Sequence, residues 1–132
     1  GVPPAPPIPC AVPGGLRDPS NAQVDAGNDE MVAGRLAVAL DRYRAAITLN
    51  QCNATAWTAL GDGLLQTGNA AAARAALEAA TRLSPTHFHA WTSLGAALER
   101  TGDRSGAAAA YQRALQGQPG YPPATAGLAR VR

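Results

Sequence analysis

Across residues 54–121 the apolar positions recur at the three-and-four spacing of amphipathic helices, and the same pattern returns after 34 residues. Ala-Trp-Thr-x-Leu-Gly occupies 56–61 and again 90–95. In register with it run Trp57/Trp91, Leu60/Leu94, Gly61/Gly95, Leu64/Leu98, Ala73/Ala107, Ala80/Ala114 and Pro85/Pro119, and 13 of 34 aligned positions are identical. Each block holds two apolar stripes with a Thr-Gly step between them, which predicts a pair of helices. The pattern predicts helices over 21–33, 36–49, 54–67, 70–83, 88–101, 104–117 and 123–131. Gly34, Gly68 and Gly102 fall at the turns inside each pair, where a left-handed cap suits glycine. Asn69 and Asp103 are placed to cap the helices that follow. Ser84-Pro85 and Gln118-Pro119 close the second helices, because proline restricts its predecessor to extended backbone.

The flanks are weaker copies or different material. Residues 20–53 carry Gly27, Gly34, Ala39, Tyr43 and Ala46 on the repeat positions, but Gln23 replaces the tryptophan. The segment 122–132 restarts the unit with Thr125, Leu128 and Ala129 and then stops. Residues 1–19 hold seven prolines and a Gly14-Gly15 step. Such a stretch cannot be helical and favours polyproline II. The expected organisation is therefore a Pro-rich extended arm (1–19), repeats at 20–53, 54–87 and 88–121, and a terminal capping helix (122–132).

Two copies at a 34-residue period, carrying Trp57, Leu60, Gly61, Leu64, Ala73, Leu77, Ala80 and Pro85, then Trp91, Leu94, Gly95, Leu98, Ala107, Tyr111, Ala114 and Pro119, resemble the tetratricopeptide repeat. The resemblance implies an all-α right-handed superhelix, an α solenoid stabilised by stacking of neighbours. It implies a protein-binding scaffold rather than an enzyme. Gly61 is expected to face Ala73 and Gly95 to face Ala107 at a close helix crossing, with Trp57, Leu60, Trp91 and Leu94 as core anchors around it.

Composition narrows this further. Charged residues make up only 15%, and all eleven cations are arginine. The arginines are scattered rather than clustered, so no nucleic-acid face is expected. An arginine-only complement reads as genome bias and suggests a bacterial origin. No run reaches the roughly 18 apolar residues of a membrane span. The chain begins with Gly1 and has Met31 as its sole methionine, which reads as a processed mature chain or a fragment.

Little in the sequence carries reactive chemistry. Cys10 and Cys52 are too few for a metal cluster, and an even count in an exported chain favours a disulfide. On this ground an extracytoplasmic location, periplasmic or secreted, is expected. His87-x-His89 at a helix start is a weak metal signal, with His89 toward the groove and His87 in a turn; neither metal nor cofactor is expected. No serine stands in a nucleophile elbow and no Gly-rich phosphate loop is present. Asn53-Ala54-Thr55 matches a glycosylation acceptor pattern.

In solenoids that this chain resembles, the first helix of each pair lines a concave groove. That puts Asn28, Thr58, Asp62, Gln66, His89, Thr92, Glu99 and Arg100 on the binding face, with Met31, Thr55, Leu65 and Ala96 beside them. Some relatives clamp a peptide carboxylate with Lys, Arg and Asn. Asn28 matches one such position, whereas the others hold Val24, Ala59, His89 and Ser93. The expected partner is therefore a protein or an extended, neutral or apolar peptide. The alternative is a second copy of the chain, with the arm docking on a neighbour and the apolar C-terminal helix (Ala124, Leu128, Val131) stacking head to tail into a fibre.

Overall fold

The computed structural model describes residues 1–6, 10 and 18–132. Among the described residues there are seven helices: α1 (Ser20–Val32), α2 (Leu36–Leu49), α3 (Ala54–Gln66), α4 (Ala70–Leu83), α5 (Phe88–Arg100), α6 (Arg104–Gly117) and α7 (Pro122–Val131). Each lies within one residue of the span that the pattern predicts. Gly34, Gly68 and Gly102 adopt φ of 82°, 84° and 90°, so each turn uses a conformation that other residues rarely hold. The side chains of Asn53, Asn69, His87 and Asp103 accept from backbone N–H groups at the starts of α3, α4, α5 and α6. These four caps satisfy donors that the first helical turn leaves unpaired.

Helices pack as antiparallel pairs, α1 with α2, α3 with α4 and α5 with α6, and α7 lies on α6 and α5. The odd-numbered helices touch one another in sequence, α1 to α3, α3 to α5 and α5 to α7. The even-numbered helices do not meet among the described residues. The first helices therefore form the inner row of a curved stack, and the second helices splay apart on the outside. One continuous core runs between the two rows, from Val24 through Leu60 and Leu77 to Val131.

At the close crossings the side chains nearest to the glycines belong to Leu77 and Tyr111. A Cβ on Gly61 would run into the Leu77 isobutyl group, and one on Gly95 would stand 2.6–2.8 Å from the Tyr111 ring. The glycines thus make room for a bulky side chain of the facing helix. Ala73 and Ala107 are fully buried, but they are not the nearest neighbours of those glycines. Gly127 of α7 also packs close to the Tyr111 ring, so that a Cβ there would clash with it. Trp57, Leu60 and Leu94 are core residues, as their spacing implies. Trp91 is only half-buried and sits at the core's edge. Ala124, Leu128 and Val131 face inward and are buried, so the apolar side of α7 is consumed by packing rather than offered for stacking.

The N-terminal residues 1–6 have no regular secondary structure. They lie on the outer side of their own stack, where α2 and α4 splay. Arg44 Nε donates to the Gly1 carbonyl at 2.8 Å. Val2 packs against the core, and Val2, Pro3 and Ala5 line a depression whose other walls are Trp57 and Ala75, Glu78, Ala79 and Arg82 of α4. Pro6 is buried. This segment is therefore not in the groove, which is formed by the opposite row of helices. Residues 7–9 and 11–17 of the expected arm lie outside the described residues. Cys10 and Cys52 are joined as a disulfide, with Cα atoms 5.8 Å apart across 42 residues of sequence.

Candidate functional site: the groove of the first helices

Helical spacing sets which side chains reach the inner surface, since positions three and four apart share a face. On α1 these are Val24, Asn28 and Met31; on α3 they are Thr55, Thr58, Ala59, Asp62 and Gln66. His87 and His89, at the start of α5, close the far side. Two adjoining depressions result, sharing Asn28, Ala59 and Asp62 and measuring about 320 and 330 Å³. The floor is apolar or self-satisfied. Val24 and Thr58 are buried, and the Thr58 hydroxyl donates back to the Ala54 carbonyl at 2.9 Å.

The rim carries the polarity. His89 Nε2 lies 2.8 Å from Asp62 Oδ2, which ties α5 to α3 across the groove. That hydrogen bond holds His89 above the usual histidine pKa, against the effect of its burial. Burial, followed by the neighbouring His89 charge, pushes His87 below it. His87 Nδ1 also accepts from the Ala90 N–H at 3.2 Å, so this residue both caps α5 and borders the groove. The sequence placed it only in a turn; the cap position, one residue before the helix, was the signal that it would sit beside His89. Asn28 Oδ1 accepts from the Tyr43 hydroxyl at 2.7 Å, which leaves its exposed amide N–H₂ free to face a ligand.

Of the eight groove residues named from sequence, the structure brings five together: Asn28, Thr58, Asp62, Gln66 and His89. Thr92 is buried and its hydroxyl donates to the Phe88 carbonyl at 2.9 Å. Glu99 turns to the end of the stack. It accepts from the Tyr111 hydroxyl at 2.5 Å and from Arg130 Nη2 at 2.9 Å. The Arg130 hydrogen bond holds the Glu99 carboxyl below its usual range. Burial, reinforced by that carboxylate, pushes the Tyr111 phenol up to about 12. Arg100 Nη1 donates to the Leu65 carbonyl at 2.8 Å, near the end of α3. Glu99 and Arg100 are thus repeat-to-repeat ties. Asn53 does not fit a glycosylation role. Its side chain is 7% exposed, and Nδ2, the atom that would carry a sugar, donates to Ser20 Oγ at 2.8 Å and Asn21 Oδ1 at 3.0 Å.

No group of three His, Cys, Asp or Glu converges as metal donors among the described residues. No helix is long and apolar enough to cross a membrane among them. The groove offers shape, hydrogen-bond donors and acceptors, and an ion pair, which are means of holding a chain.

A family model described as Tetratricopeptide repeat matches residues 24–87 and again 58–122. Comparison with curated proteins gave no match. Among solved structures, the Arabidopsis OM64 TPR domain is similar at 24% identity and a TM-score of 0.84, covering 89% of this chain and 98% of that one. The first TPR of Spaghetti (RPAP3), bound to the HSP90 peptide SRMEEVD, is similar at 21% and 0.83, covering 85% and 89%. The second TPR domain of human RPAP3, in complex with the HSP70 peptide SGPTIEEVD, gives 21% and 0.79, covering 85% and 97%. At these identities the likeness is one of fold.

Proposed function

The chain belongs to the tetratricopeptide-repeat family, and we propose that it is a non-enzymatic interaction scaffold whose groove holds an extended, largely neutral peptide segment of a partner protein. The observation that carries this reading is the continuous trough over α1, α3 and α5, with an apolar floor at Val24 and Ala59 and polar groups on its rim. Two proteins of the same fold are peptide complexes, which supports a polypeptide as the occupant. Their acidic peptides are not the expected ligand here. The chain has no lysine, and Val24, Ala59, His89 and Ser93 stand at positions where some relatives carry the Lys and Arg of a carboxylate clamp. An extended segment fits because it brings free backbone groups to the Asn28 amide and the Asp62–His89 pair at modest ordering cost.

We place the scaffold outside the cytoplasm, because a disulfide such as Cys10–Cys52 persists in oxidising compartments and is rare in reducing ones. The fibre reading loses its support, since the apolar side of α7 is already buried.

A peptide-array screen followed by calorimetry tests the reading. Thr55 is exposed and lines the groove, so Thr55→Arg obstructs it without disturbing the core. Selected peptides lose binding to Thr55→Arg while its melting temperature is unchanged, and C-terminal amidation of the peptide makes no difference. Peptides that bind the variant as tightly as the parent would sink the proposal.

A further inference from the structure

The outer surface repeats with the sequence, and this gives it a second docking register. In the first register, Val2, Pro3 and Ala5 line one depression together with Trp57 and with Ala75, Glu78, Ala79 and Arg82 of α4. Adding one period gives Trp91, Ala109, Gln112, Arg113 and Gln116. All five of these line one open depression of about 390 Å³ on α5 and α6. The framework is the same in both registers. Trp57 Nε1 donates to the Gln51 carbonyl at 2.8 Å, and Trp91 Nε1 donates to the Pro85 carbonyl at 2.8 Å, each six residues back. What differs is the exposure. Trp57 is 0% exposed in a depression that Val2, Pro3 and Ala5 also line, whereas Trp91 is half-buried with the Arg113 guanidinium above its ring, 4.8 Å from the centroid.

We infer that the Trp91 depression is a docking site for an extended, proline-interrupted apolar segment of a partner polypeptide, of the chemistry that residues 1–6 present to Trp57. Such a segment suits the site for physical reasons. Proline brings no N–H to bury, and polyproline II leaves its carbonyls unpaired and pointing outward. The site must then supply donors. Arg44 does so for the Gly1 carbonyl in the first register, and Arg113 stands ready in the second. Residues 1–6 lie at the Trp57 register of their own chain, tied there by Arg44, which leaves the Trp91 register to a segment of another polypeptide.

The test is a titration of the full-length chain with the amidated peptide Gly-Val-Pro-Pro-Ala-Pro, followed through the two indole N–H signals in NMR and assigned with Trp91→Phe. The expected result is a saturable shift of the Trp91 signal with the Trp57 signal unmoved. Ala109 is exposed, so Ala109→Arg leaves the fold intact, as the unchanged Trp57 signal verifies, and weakens binding by about tenfold or more. Absence of a saturable Trp91 shift overturns the assignment. So does movement of the Trp57 signal, which would mean exchange with residues 1–6. A Trp91 shift that grows with protein concentration alone, without peptide, would put a second copy in the site and overturns the choice of partner.

Discussion

Gly95→Ala adds one methyl group at a place where the structure leaves it nowhere to go. The new Cβ would stand 2.6, 2.8 and 2.8 Å from three carbons of the Tyr111 ring. Ordinary carbon contacts lie near 3.5–4.0 Å, so the ring must retreat by about 1 Å. It cannot do so freely, because Gly127 of α7 also packs closely enough on the ring that a Cβ there would clash with it, and the phenol is hydrogen-bonded to Glu99. Overpacking of this kind costs about 1–3 kcal/mol. A stretched hydrogen bond to a carboxylate adds about 1 kcal/mol. Against this, alanine is favoured over glycine inside a helix by about 1 kcal/mol. The net expectation is a loss of about 2 kcal/mol, or roughly 6–8 °C in melting temperature for a domain of this size. Urea melts followed by circular dichroism measure it. In a Tyr111→Val background the clashing ring carbons are gone, so the same substitution becomes neutral or stabilising. If Gly95→Ala raises the stability of the parent protein, or lowers it equally in both backgrounds, the clamped-ring account is wrong.

Other outcomes follow from features of the same molecule. Reducing Cys10–Cys52, or replacing Cys52 by Ser, removes a cross-link over 42 residues and lowers stability by about 4 kcal/mol from loop-closure entropy; paired melts with and without reductant check this. Asn53→Ala removes the α3 cap and the bonds to Ser20 and Asn21, and costs about 1–3 kcal/mol in the same assay. On raising pH in an NMR titration, His87 loses its proton before His89, because burial lowers the first and Asp62 raises the second. Since the folded pKa of His89 lies above its unfolded value, the stabilisation it lends is full below the ordinary histidine range and is lost as pH rises through the folded pKa. Asp62→Asn abolishes that slope, and an unchanged His89 titration in this variant would contradict the assigned cause.

The helices were legible almost to the residue because their signals are local. A Thr-Gly turn, an Asn or Asp cap and a three-four apolar stripe each act within a few residues. The curvature that makes a groove was legible only through the repeat period. What could not be read is what depends on contacts between distant segments. Trp57 and Trp91 share the same motif, yet one is sealed and the other half-open, and the depression beside Trp57 is walled by residues more than fifty positions upstream. Spacing marks Gly61 and Gly95 as small for a reason, but not that the reason is Leu77 and Tyr111 rather than Ala73 and Ala107. Glu99 and Arg100 fall on the groove face by helical position. Their long side chains reach instead to Arg130 and to the Leu65 carbonyl, a choice that side-chain length permits and periodicity does not record.

The bridge between Cys10 and Cys52 also fixes how the molecule would bear tension. A pull applied at Gly1 first meets the contacts of residues 1–6 with α2 and α4. Once these give way, load passes through the two sulfurs directly to the start of α3. The helices α1 and α2 lie inside the covalent loop and off the line of force, so the least regular repeat is the one that is never stretched. The chain would yield from the α3–α4 pair onward, and its force–extension trace would be shortened by the sequence separation of 42 that the bridge spans. A tether anchored at the N-terminus would therefore hang from the regular repeats, with the first pair carried along folded.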